Sequence, residues 1–475
     1  MDFLGRDDEL ANLREWAETT DTSHLTVIYG RRRIGKTRLV EEAFKAVPFL
    51  KFEGLEGQTT VVQQRHFLKR LSELSGRPEY QLVHTGNWRD ILTILSGYLA
   101  DRWGDRPVAI LFDEFPWMAA GRTKLVSELK YVWDNHFMKR NRVHLVLCGS
   151  VCSFLVKQVV RSTALYGRIH RQIDLGPLTL PEIRDVFRPA RSLREVVELY
   201  MAVGGVPQYL QMVDPVQSVR ANLEKLCFAR SGYLVEEFDR LFASHFGGNR
   251  YYRQILLHLA RRSFASRDDL QRVCKLVSGG RITDYLMDLE TAGFIERYAP
   301  VHKPGSTKIN RYRIADPYLV FYFRFIAPAL RKIRQSRGRP AFSKFVPENK
   351  YDVWRGHAFE YLCYRHSHLV AEKLGFGAVN FDSGPWFTRG GVAEGAQIDL
   401  VFFRADRVIT LCEIKFQDSP IGKAVIDEVE RKRAIFPNPK RQTIEKVLIT
   451  ASPATDDLRR ERYFNRILSL EDLFG

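Results

Sequence analysis

A short stretch near the amino terminus limits the folds open to this chain more than any other feature. Residues 30–37 read GRRRIGKT and fit the pattern G-x-x-x-x-G-K-T. Gly30 and Gly35 allow the backbone turns that direct successive N–H groups at an anion. Lys36 then reaches the β- and γ-phosphates of a nucleotide, and the Thr37 hydroxyl binds Mg²⁺. The pattern therefore predicts a phosphate-binding loop.

The residues around this loop predict the strand, loop and helix that the pattern requires. Residues 25–29 form a buried-strand run, and residues 36–46 follow a helical pattern. The x positions of the pattern supply backbone amides to the phosphate, so the arginines at these positions either add counter-charge or project outward to a partner. The alternative to a phosphate-binding loop is a basic surface turn before a helix. The predicted ATP-binding residues are Gly30, Arg31, Arg32, Arg33, Ile34, Gly35, Lys36, Thr37 and Arg38.

Two downstream strands supply the other groups that an ATPase needs. Residues 108–112 are apolar and lead into Asp113 and Glu114, which predicts a strand buried on both faces. Asp113 is expected to bind Mg²⁺ through water, and Glu114 to polarise the water that attacks the γ-phosphate. A strand over 143–148 leads to Ser150, which either senses the γ-phosphate or caps a helix. No N/T-K-x-D motif for guanine follows, so ATP is favoured over GTP.

Charge and composition narrow the class of protein. The chain has 475 residues, more than one ordinary core can hold, and a net charge of +17 with a pI near 9.6. This excess of basic residues predicts a polyanionic partner, with DNA favoured, although basic proteins often have none. Six scattered cysteines predict reduced thiols rather than disulfides or a zinc site. No apolar run approaches a membrane span, so a cytoplasmic protein without membrane contact is expected.

Six motifs follow one another across the first 210 residues: FLGRDDEL at 3–10, GRRRIGKT at 30–37, LFDEF at 111–115, LCGS at 147–150, LYGR at 165–168 and GGVPQYL at 204–210. Together they resemble the archaeal-type ATPase family, AAA+-like NTPases of the STAND-related branch. The resemblance implies a doubly wound parallel sheet, an adenine contact near residues 3–6 and a helical lid containing the segment 205–207. It also implies that Arg168 faces a phosphate, at a subunit junction of a homo-oligomer. The alternative is that Arg168 caps or pairs on the surface.

The middle of the chain predicts a winged helix. Helical patterns over 251–259, after 266 and over 280–291 precede two strand patterns at 294–298 and 311–314. In such a module the third helix enters a DNA major groove, where Arg281 and Tyr285 would contact bases or phosphates. The module alternatively serves only for packing. A basic run over 331–339 then predicts a linker or a strap that contacts phosphates.

The C-terminal part carries a separate set of charged residues. Strand patterns over 397–403 and 408–416, separated by a short turn, predict a hairpin. Glu413 and Lys415 share one face of their strand because they are two residues apart, and Asp399 meets Glu413 across the ladder. Two carboxylates beside a lysine suit Mg²⁺ or Mn²⁺ and phosphodiester hydrolysis, in which Lys415 acts on the reacting phosphate. Glu360, on the preceding helix, adds a third carboxylate.

The order E, D, E-x-K resembles the PD-(D/E)xK superfamily of restriction-endonuclease-like domains. The resemblance implies catalysis by Lys415 and metal binding by Glu360, Asp399 and Glu413, although Ile398 stands where the superfamily name has Pro.

The sequence therefore predicts an α/β chain with a P-loop doubly wound sheet and helical lid, a winged helix and an α/β restriction-endonuclease-like domain. The predicted limits are 1–190 for the ATPase core, 191–245 for the lid, 246–316 for the winged helix, 317–345 for a basic linker and 346–475 for the nuclease-like domain. The expected function is ATP-regulated binding or cleavage of nucleic acid. The alternatives are a signalling switch whose C-terminal domain only binds DNA or protein, and an ATP-driven DNA remodeller that does not cut.

Overall fold

The chain divides into two compact units, each built from two pieces of the sequence. A computed structural model describes residues 3, 5–19, 22–84, 86–121, 123–139, 142–150, 159–160, 164–188, 190–262, 264–276, 280–298, 310–336, 341–388 and 395–475. The first unit comprises 1–178 and 206–211, and the second comprises 179–205 and 212–475. The predicted ATPase core, 1–190, therefore extends past the end of the first unit's main piece. The finer division into four domains stays a prediction.

A five-stranded parallel sheet forms the centre of the first unit. Its strand order is β2-β3-β4-β1-β5. All six residues of β3 are buried, as a parallel strand covered on both faces requires, and the strands predicted over 25–29, 108–112 and 143–148 are confirmed. The strands are β1 (His24–Gly30), β2 (Phe49–Glu53), β3 (Val108–Asp113), β4 (Val143–Ser150) and β5 (Ile169–Asp174).

Helices cover both faces of this sheet. One apolar cluster joins alternate strand residues to α3, α4 and α6, and another joins the intervening strand residues to α1 and α2. This is the doubly wound arrangement that the sequence predicts. The helices are α1 (Asp7–Thr19), α2 (Lys36–Ala43), α3 (Thr60–Ser75), α4 (Trp88–Trp103), α5 (Phe115–Met118) and α6 (Leu125–Val132), the last continuing into a π-turn at Trp133–Phe137.

Two histidines face each other in adjacent strands of this sheet. His24 and His144 are register partners in β1 and β4, and their rings stack at 5.9 Å. The pKa of His144 is lowered from 6.5 to about 4, mainly by burial and to a smaller extent by the nearby charge of His24. The pKa of His24 is also lowered to about 4, mainly by burial and to a smaller extent by the charge of His170. Both rings are therefore neutral in the folded protein at neutral pH.

We expect acid to destabilise the chain through this pair. A lowered pKa means that the unfolded chain binds more protons than the folded one below pH 6.5, so stability falls from pH 6.5 down to about 4. Replacing His144 with phenylalanine should remove about 3 kcal/mol of this loss, since each pKa unit corresponds to about 1.4 kcal/mol. Thermal unfolding of the full chain at pH 7 and at pH 4.5 measures the difference. His84→Phe, at an exposed site, is the control, and an equal acid-induced drop in Tm for both variants would contradict the assignment.

The second unit is mainly helical before its C-terminal sheet. Two helices at its start are followed by a short one that belongs to the first unit: α7 (Leu180–Phe187), α8 (Leu193–Val203) and α9 (Pro207–Leu210). The remaining helices are α10 (Val219–Leu223), α11 (Glu237–Phe246), α12 (Arg250–Arg262), α13 (Arg267–Val273), α14 (Arg281–Thr291), α15 (Pro317–Phe321), α16 (Ala327–Gln335), α17 (Glu348–Arg365), α18 (Ser367–Lys373), α19 (Ala424–Ile435), α20 (Asp456–Arg460) and α21 (Leu470–Phe474). Among the described residues, no helix combines the length and the apolarity needed to cross a bilayer.

A small sheet follows α12, α13 and α14. Strands β6 (Ala265–Ser266), β7 (Ile295–Tyr298) and β8 (Arg311–Ile314) pair antiparallel in the order β6-β8-β7. These helices and strands agree with the elements predicted between 251 and 314. Residues 299–309, between β7 and β8, lie outside the described residues. Arg281 is exposed, whereas the Tyr285 ring stacks on Tyr251, so its face is used in packing helix against helix.

The basic segment predicted as a linker is largely helical. Residues 317–335 form α15, a π-turn and α16, because apolar side chains such as Tyr318, Phe321 and Phe325 are buried. The charged residues of the run occupy the outer face of α16: Arg331 and Lys332 are exposed, and Arg334 pairs with Glu236 at 2.9 Å. Arg337 and Arg339 lie outside the described residues.

A second five-stranded sheet completes the chain. Its order is β13-β12-β11-β10-β9, with β9, β10 and β11 antiparallel and β11, β12 and β13 parallel. The hairpin predicted over 397–416 is confirmed as β10 paired with β11. The strands are β9 (Phe381–Thr388), β10 (Ala396–Arg404), β11 (Val408–Lys415), β12 (Thr443–Thr450) and β13 (Arg466–Leu468).

Candidate functional site

The predicted phosphate-binding loop connects β1 to α2 at the carboxyl edge of the parallel sheet. Gly30 has φ +155°, and a Cβ atom there would lie 2.3 Å from the Leu175 carbonyl oxygen, so no larger residue fits. Arg33 and Gly35 adopt φ values of 73° and 87°, which fold the loop back on itself. The Lys36 ammonium donates to the carbonyl oxygens of Gly30 and Arg31 at 3.1 and 3.0 Å. The loop thus holds its lysine close to its own backbone.

The side chains of the loop differ in their surroundings. Ile34 is fully buried in the cluster beneath the sheet and anchors the loop to the core. Arg31 is buried as well, whereas Arg32 pairs with Glu56 at 3.3 Å. Arg38, in the first turn of α2, lies 3.6 Å from Glu41. Arg31 thus has a buried guanidinium, whereas Arg32 and Arg38 form ion pairs with residues outside the loop.

The Thr37 hydroxyl and the Asp113 carboxylate meet beside the loop. Thr37 Oγ1 donates to Asp113 Oδ2 at 2.8 Å, and Lys51 Nζ lies 3.2 Å from the same oxygen. Both groups are oxygen ligands of the kind that Mg²⁺ prefers. The donor atoms of these residues therefore fit a Mg²⁺ ion. Lys51 has no short-range signal in the sequence, because it reaches Asp113 only through the pairing of β2 with β3.

Glu114 and Ser150 lie next to this pair of oxygens. Glu114 adopts φ 46° and ψ 41°, a left-handed conformation that is uncommon outside glycine. Ser150 Oγ donates to the two carboxylate oxygens of Glu114 at 3.1 and 3.3 Å. Ser150 is also the register partner of Gly30, the first residue of the loop. The structure therefore brings Lys36, Thr37, Asp113, Glu114 and Ser150 to one edge of the sheet.

Arg168 lies at the opposite edge of the same sheet. It directly precedes β5, whose first residue pairs with Leu25 near the start of β1. The loop follows the other end of β1, about 16 Å away at a rise of about 3.3 Å per residue. Arg168 instead makes two hydrogen bonds to Asp134, at 2.6 and 2.8 Å, which raise its pKa. The fold does not bring Arg168 to the loop of its own chain.

The C-terminal residues line a cleft of about 360 Å³ in the second unit. Helix α17 supplies Glu360, β10 supplies Asp399, and β11 supplies Glu413 and Lys415. Helix α19 also supplies Glu428, Arg431 and Lys432, which were not predicted as site residues. Their spacing on one helix, i and i+4 for Glu428 and Lys432, was a signal for an ion pair but not for a shared cleft.

Asp399 is buried beside Glu413. Leu400 of β10 pairs with Cys412 of β11, and Asp399 and Glu413 are the next residues along the two strands. The pKa of Asp399 is raised to about 8, mainly by burial and to a smaller extent by the negative charges of Glu413 and Glu360. One Asp399 carboxylate oxygen accepts the Ile414 N–H at 2.9 Å. Glu360 is in turn 3.5 Å from the His357 ring and helps to raise the pKa of His357.

Four side chains in the cleft close a ring of ion pairs, which we call the ion-pair ring: Glu413, Lys415, Glu428 and Lys432. The Lys415 ammonium lies 2.7 Å from Glu413 and 2.8 Å from Glu428. The Lys432 ammonium lies 2.7 Å from Glu413 and 3.0 Å from Glu428. Two ammonium groups thus compensate two carboxylates. Within the described part of the chain, no group of three acidic, histidine or cysteine residues is arranged to hold a metal. The cleft as arranged does not fit a divalent cation.

Comparison with known proteins finds similarity to ATPases, concentrated in the first part of the chain. Residues 3–213 match the profile of a family described as an ATPase domain predominantly from Archaea. An uncharacterized protein of Methanocaldococcus jannaschii is 27% identical over 426 residues, covering 88% of each chain. A Walker-type ATPase of Pyrococcus abyssi is similar with a TM-score of 0.48 and 20% identity, over 68% of this chain and 96% of that one. The ORC2 protein of Aeropyrum pernix, solved in ADPNP and ADP complexes, is similar with a TM-score of 0.41 and 14% identity, over 69% and 92%.

The matched residues include the loop after β1 and the carboxylates after β3. The profile covers the segment that contains Lys36, Thr37, Asp113 and Glu114, and it ends shortly after α9. Residues 3–213 of this chain are therefore similar in sequence to ATPase domains found predominantly in Archaea.

Proposed function

We propose that this chain is an ATP-driven switch whose nucleotide state regulates nucleic-acid binding by its second unit. The observation that carries the first half of the proposal is the 2.8 Å contact between Thr37 and Asp113, beside a loop whose lysine is nearly buried. Such a loop binds phosphates through its backbone amides, and Lys36 exchanges its two carbonyl partners for phosphate oxygens.

The residues around the loop support hydrolysis as well as binding. Thr37 and Asp113 would hold Mg²⁺, which neutralises phosphate charge when it is bound. Glu114 orients a water molecule and accepts its proton, and the Ser150 hydroxyl holds the Glu114 carboxylate in place through two hydrogen bonds. Arg168 lies at the opposite sheet edge. Any phosphate that it contacts would therefore belong to a second copy of the chain, as in a homo-oligomer.

Contacts between α8 and the C-terminal cleft support the coupling of the two halves. Arg194, on α8, donates to the Gln417 carbonyl at 3.1 Å and to the Asp418 carboxylate at 2.6 Å, directly after the strand that carries Lys415. It also donates to the Ala451 carbonyl at 3.1 Å, after β12. Along the chain, α8 lies between two pieces of the first unit. A change in that unit therefore has a covalent route to the cleft rim.

The ion-pair ring favours binding over cutting. Both lysines are engaged by carboxylates, and the cleft as arranged does not fit the divalent cation that phosphodiester hydrolysis requires. Cleavage is the second candidate function, because Asp399, Glu413 and Lys415 line one cleft as the PD-(D/E)xK pattern requires. The winged-helix-like elements and the exposed face of α16 are further candidate nucleic-acid contacts.

Binding to DNA should weaken steeply with salt, because a chain of net charge +17 releases counterions from a polyanion. Changing both Arg331 and Lys332 to glutamine should reduce the slope of log Kd against log salt by about two, one for each lost phosphate contact. Fluorescence anisotropy with single-stranded and duplex DNA, with and without ATP, measures both effects.

The control for this experiment removes the same charge elsewhere. Arg65 and Lys69 are exposed on α3, and changing both to glutamine should leave the slope unchanged. If neither DNA form binds, or if ATP leaves the affinity unaltered, nucleic-acid regulation by ATP is wrong. If the slope of log Kd against log salt is equal for the two double variants, α16 is not part of the DNA-binding surface.

A further inference from the structure

Lys432 has the contacts of a bound cation. Its ammonium group lies 2.8 and 2.7 Å from the two oxygens of Glu413 and 3.0 Å from Glu428. An ammonium has three N–H donors, so these three carboxylate oxygens use all of them. The side chain reaches this position because α19 packs against the sheet that carries Glu413. Lys432 is thus enclosed by carboxylates, with 11% of its side chain exposed.

We propose that Lys432 is the resident cation of the cleft, and that a divalent cation enters only when this side chain leaves Glu413. The inference rests on the proposed function of the cleft, but not on the ATPase site. It assigns Lys432 as a positioning residue that holds Glu413 and keeps the cleft closed to Mg²⁺ or Mn²⁺. Lys432 contacts both oxygens of Glu413, the carboxylate that the PD-(D/E)xK pattern assigns to a metal.

Charge and geometry both oppose a metal while Lys432 remains. The ion-pair ring has two positive and two negative side chains, so a divalent cation that binds Glu413 must displace an ammonium group from it. Glu413 is 3% exposed and both of its oxygens are occupied. Removing Lys415 would leave Lys432 on both oxygens, whereas removing Lys432 leaves only the single contact from Lys415. Lys432 is therefore the residue whose loss opens Glu413.

Calorimetric titration of the full chain with Mn²⁺, without nucleotide, tests this assignment. Lys432→Met keeps the length of the side chain and removes its charge. We expect it to raise Mn²⁺ affinity by about tenfold or more, since one charge at this distance shifts the proton affinity of a carboxylate by about one to three pKa units. The gain should vanish in the double variant Lys432→Met, Glu413→Gln. Lys423→Met is the matched control, because Lys423 lies at the start of the same helix and pairs with Glu461 at 2.6 Å, away from the cleft.

Unchanged Mn²⁺ affinity in Lys432→Met, whether wild type binds the ion or not, would overturn the proposal. Lys432→Arg keeps the charge and should keep the low affinity; an equal gain in that variant would mean that space rather than charge controls entry, which also overturns it. Thermal unfolding confirms that each variant is folded, and Lys432→Gln replaces the methionine variant if it is not. A gain in Mn²⁺ affinity without any DNA binding would leave this inference standing while the proposed nucleic-acid function fails.

Discussion

Replacing Lys36 with alanine is expected to raise the Kd for ATP by about a hundredfold or more. The Lys36 ammonium lies within the loop at 3.0 to 3.1 Å from two backbone carbonyls, ready to contact phosphate oxygens. Losing charge-assisted hydrogen bonds to two phosphates costs about 3 kcal/mol or more, which corresponds to that change in Kd. Equilibrium titration with a fluorescent ATP analogue measures the effect.

The matched control for this substitution is Lys45→Ala. Lys45 follows α2 and is 65% exposed, and its ammonium pairs with Glu42 on the protein surface. Its loss should leave the Kd for ATP unchanged. If Lys36→Ala binds ATP as tightly as the control does, the loop after β1 does not hold the nucleotide phosphates, and the ATP-driven switch loses its basis.

Replacing Glu114 with glutamine is expected to preserve ATP binding and to lower kcat for hydrolysis by about a hundredfold or more. Glutamine keeps the shape of the side chain and its hydrogen bond from Ser150 but cannot accept the proton of the attacking water. A general base contributes about a hundred- to ten-thousandfold to such a reaction. Phosphate release under saturating ATP gives kcat, and the titration described for Lys36 gives the Kd.

Glu73→Gln is the control, since Glu73 is 46% exposed and pairs with Arg70 on α3. A Glu114→Gln variant that hydrolyses ATP at the rate of this control would show that another group activates the water. Because Glu114→Gln retains ATP, it also provides the ATP-bound state for DNA-binding measurements, in which the chain cannot proceed to the ADP state.

The sequence alone was sufficient to predict those parts of the fold and the candidate sites that depend on residues close together in the chain. The phosphate-binding loop, the apolar strand that ends in Asp113 and the hairpin that sets Asp399 opposite Glu413 all follow from short patterns with fixed periodicity. The pairing register of two neighbouring strands was predictable because the turn between them is short. The first two features carry most of the candidate ATPase site, and the hairpin carries part of the C-terminal cleft.

The sequence was insufficient where side chains meet through tertiary packing. Lys51 reaches Asp113 because β2 pairs with β3, and Lys432 reaches Glu413 because α19 packs against the C-terminal sheet. Neither contact has a short-range signal. The basic run over 331–339 similarly drew attention away from the apolar residues of the same predicted linker, in which buried Phe321 and Phe325 favour a helix.

The path of the chain has a consequence for how its parts can be exchanged. Since the first unit includes 206–211 and the second includes 179–205, no single break in the sequence separates the two. A fragment that begins at 212 lacks α8 and with it Arg194, which contacts the residues after β11 and β12. If a single recombination event at 212 replaced the C-terminal half, Arg194 on α8 would therefore have to contact residues of a different cleft. A chimera that exchanges the second unit along its bounds needs three matched junctions, after residues 178, 205 and 211, so the two units are exchanged most easily as one piece.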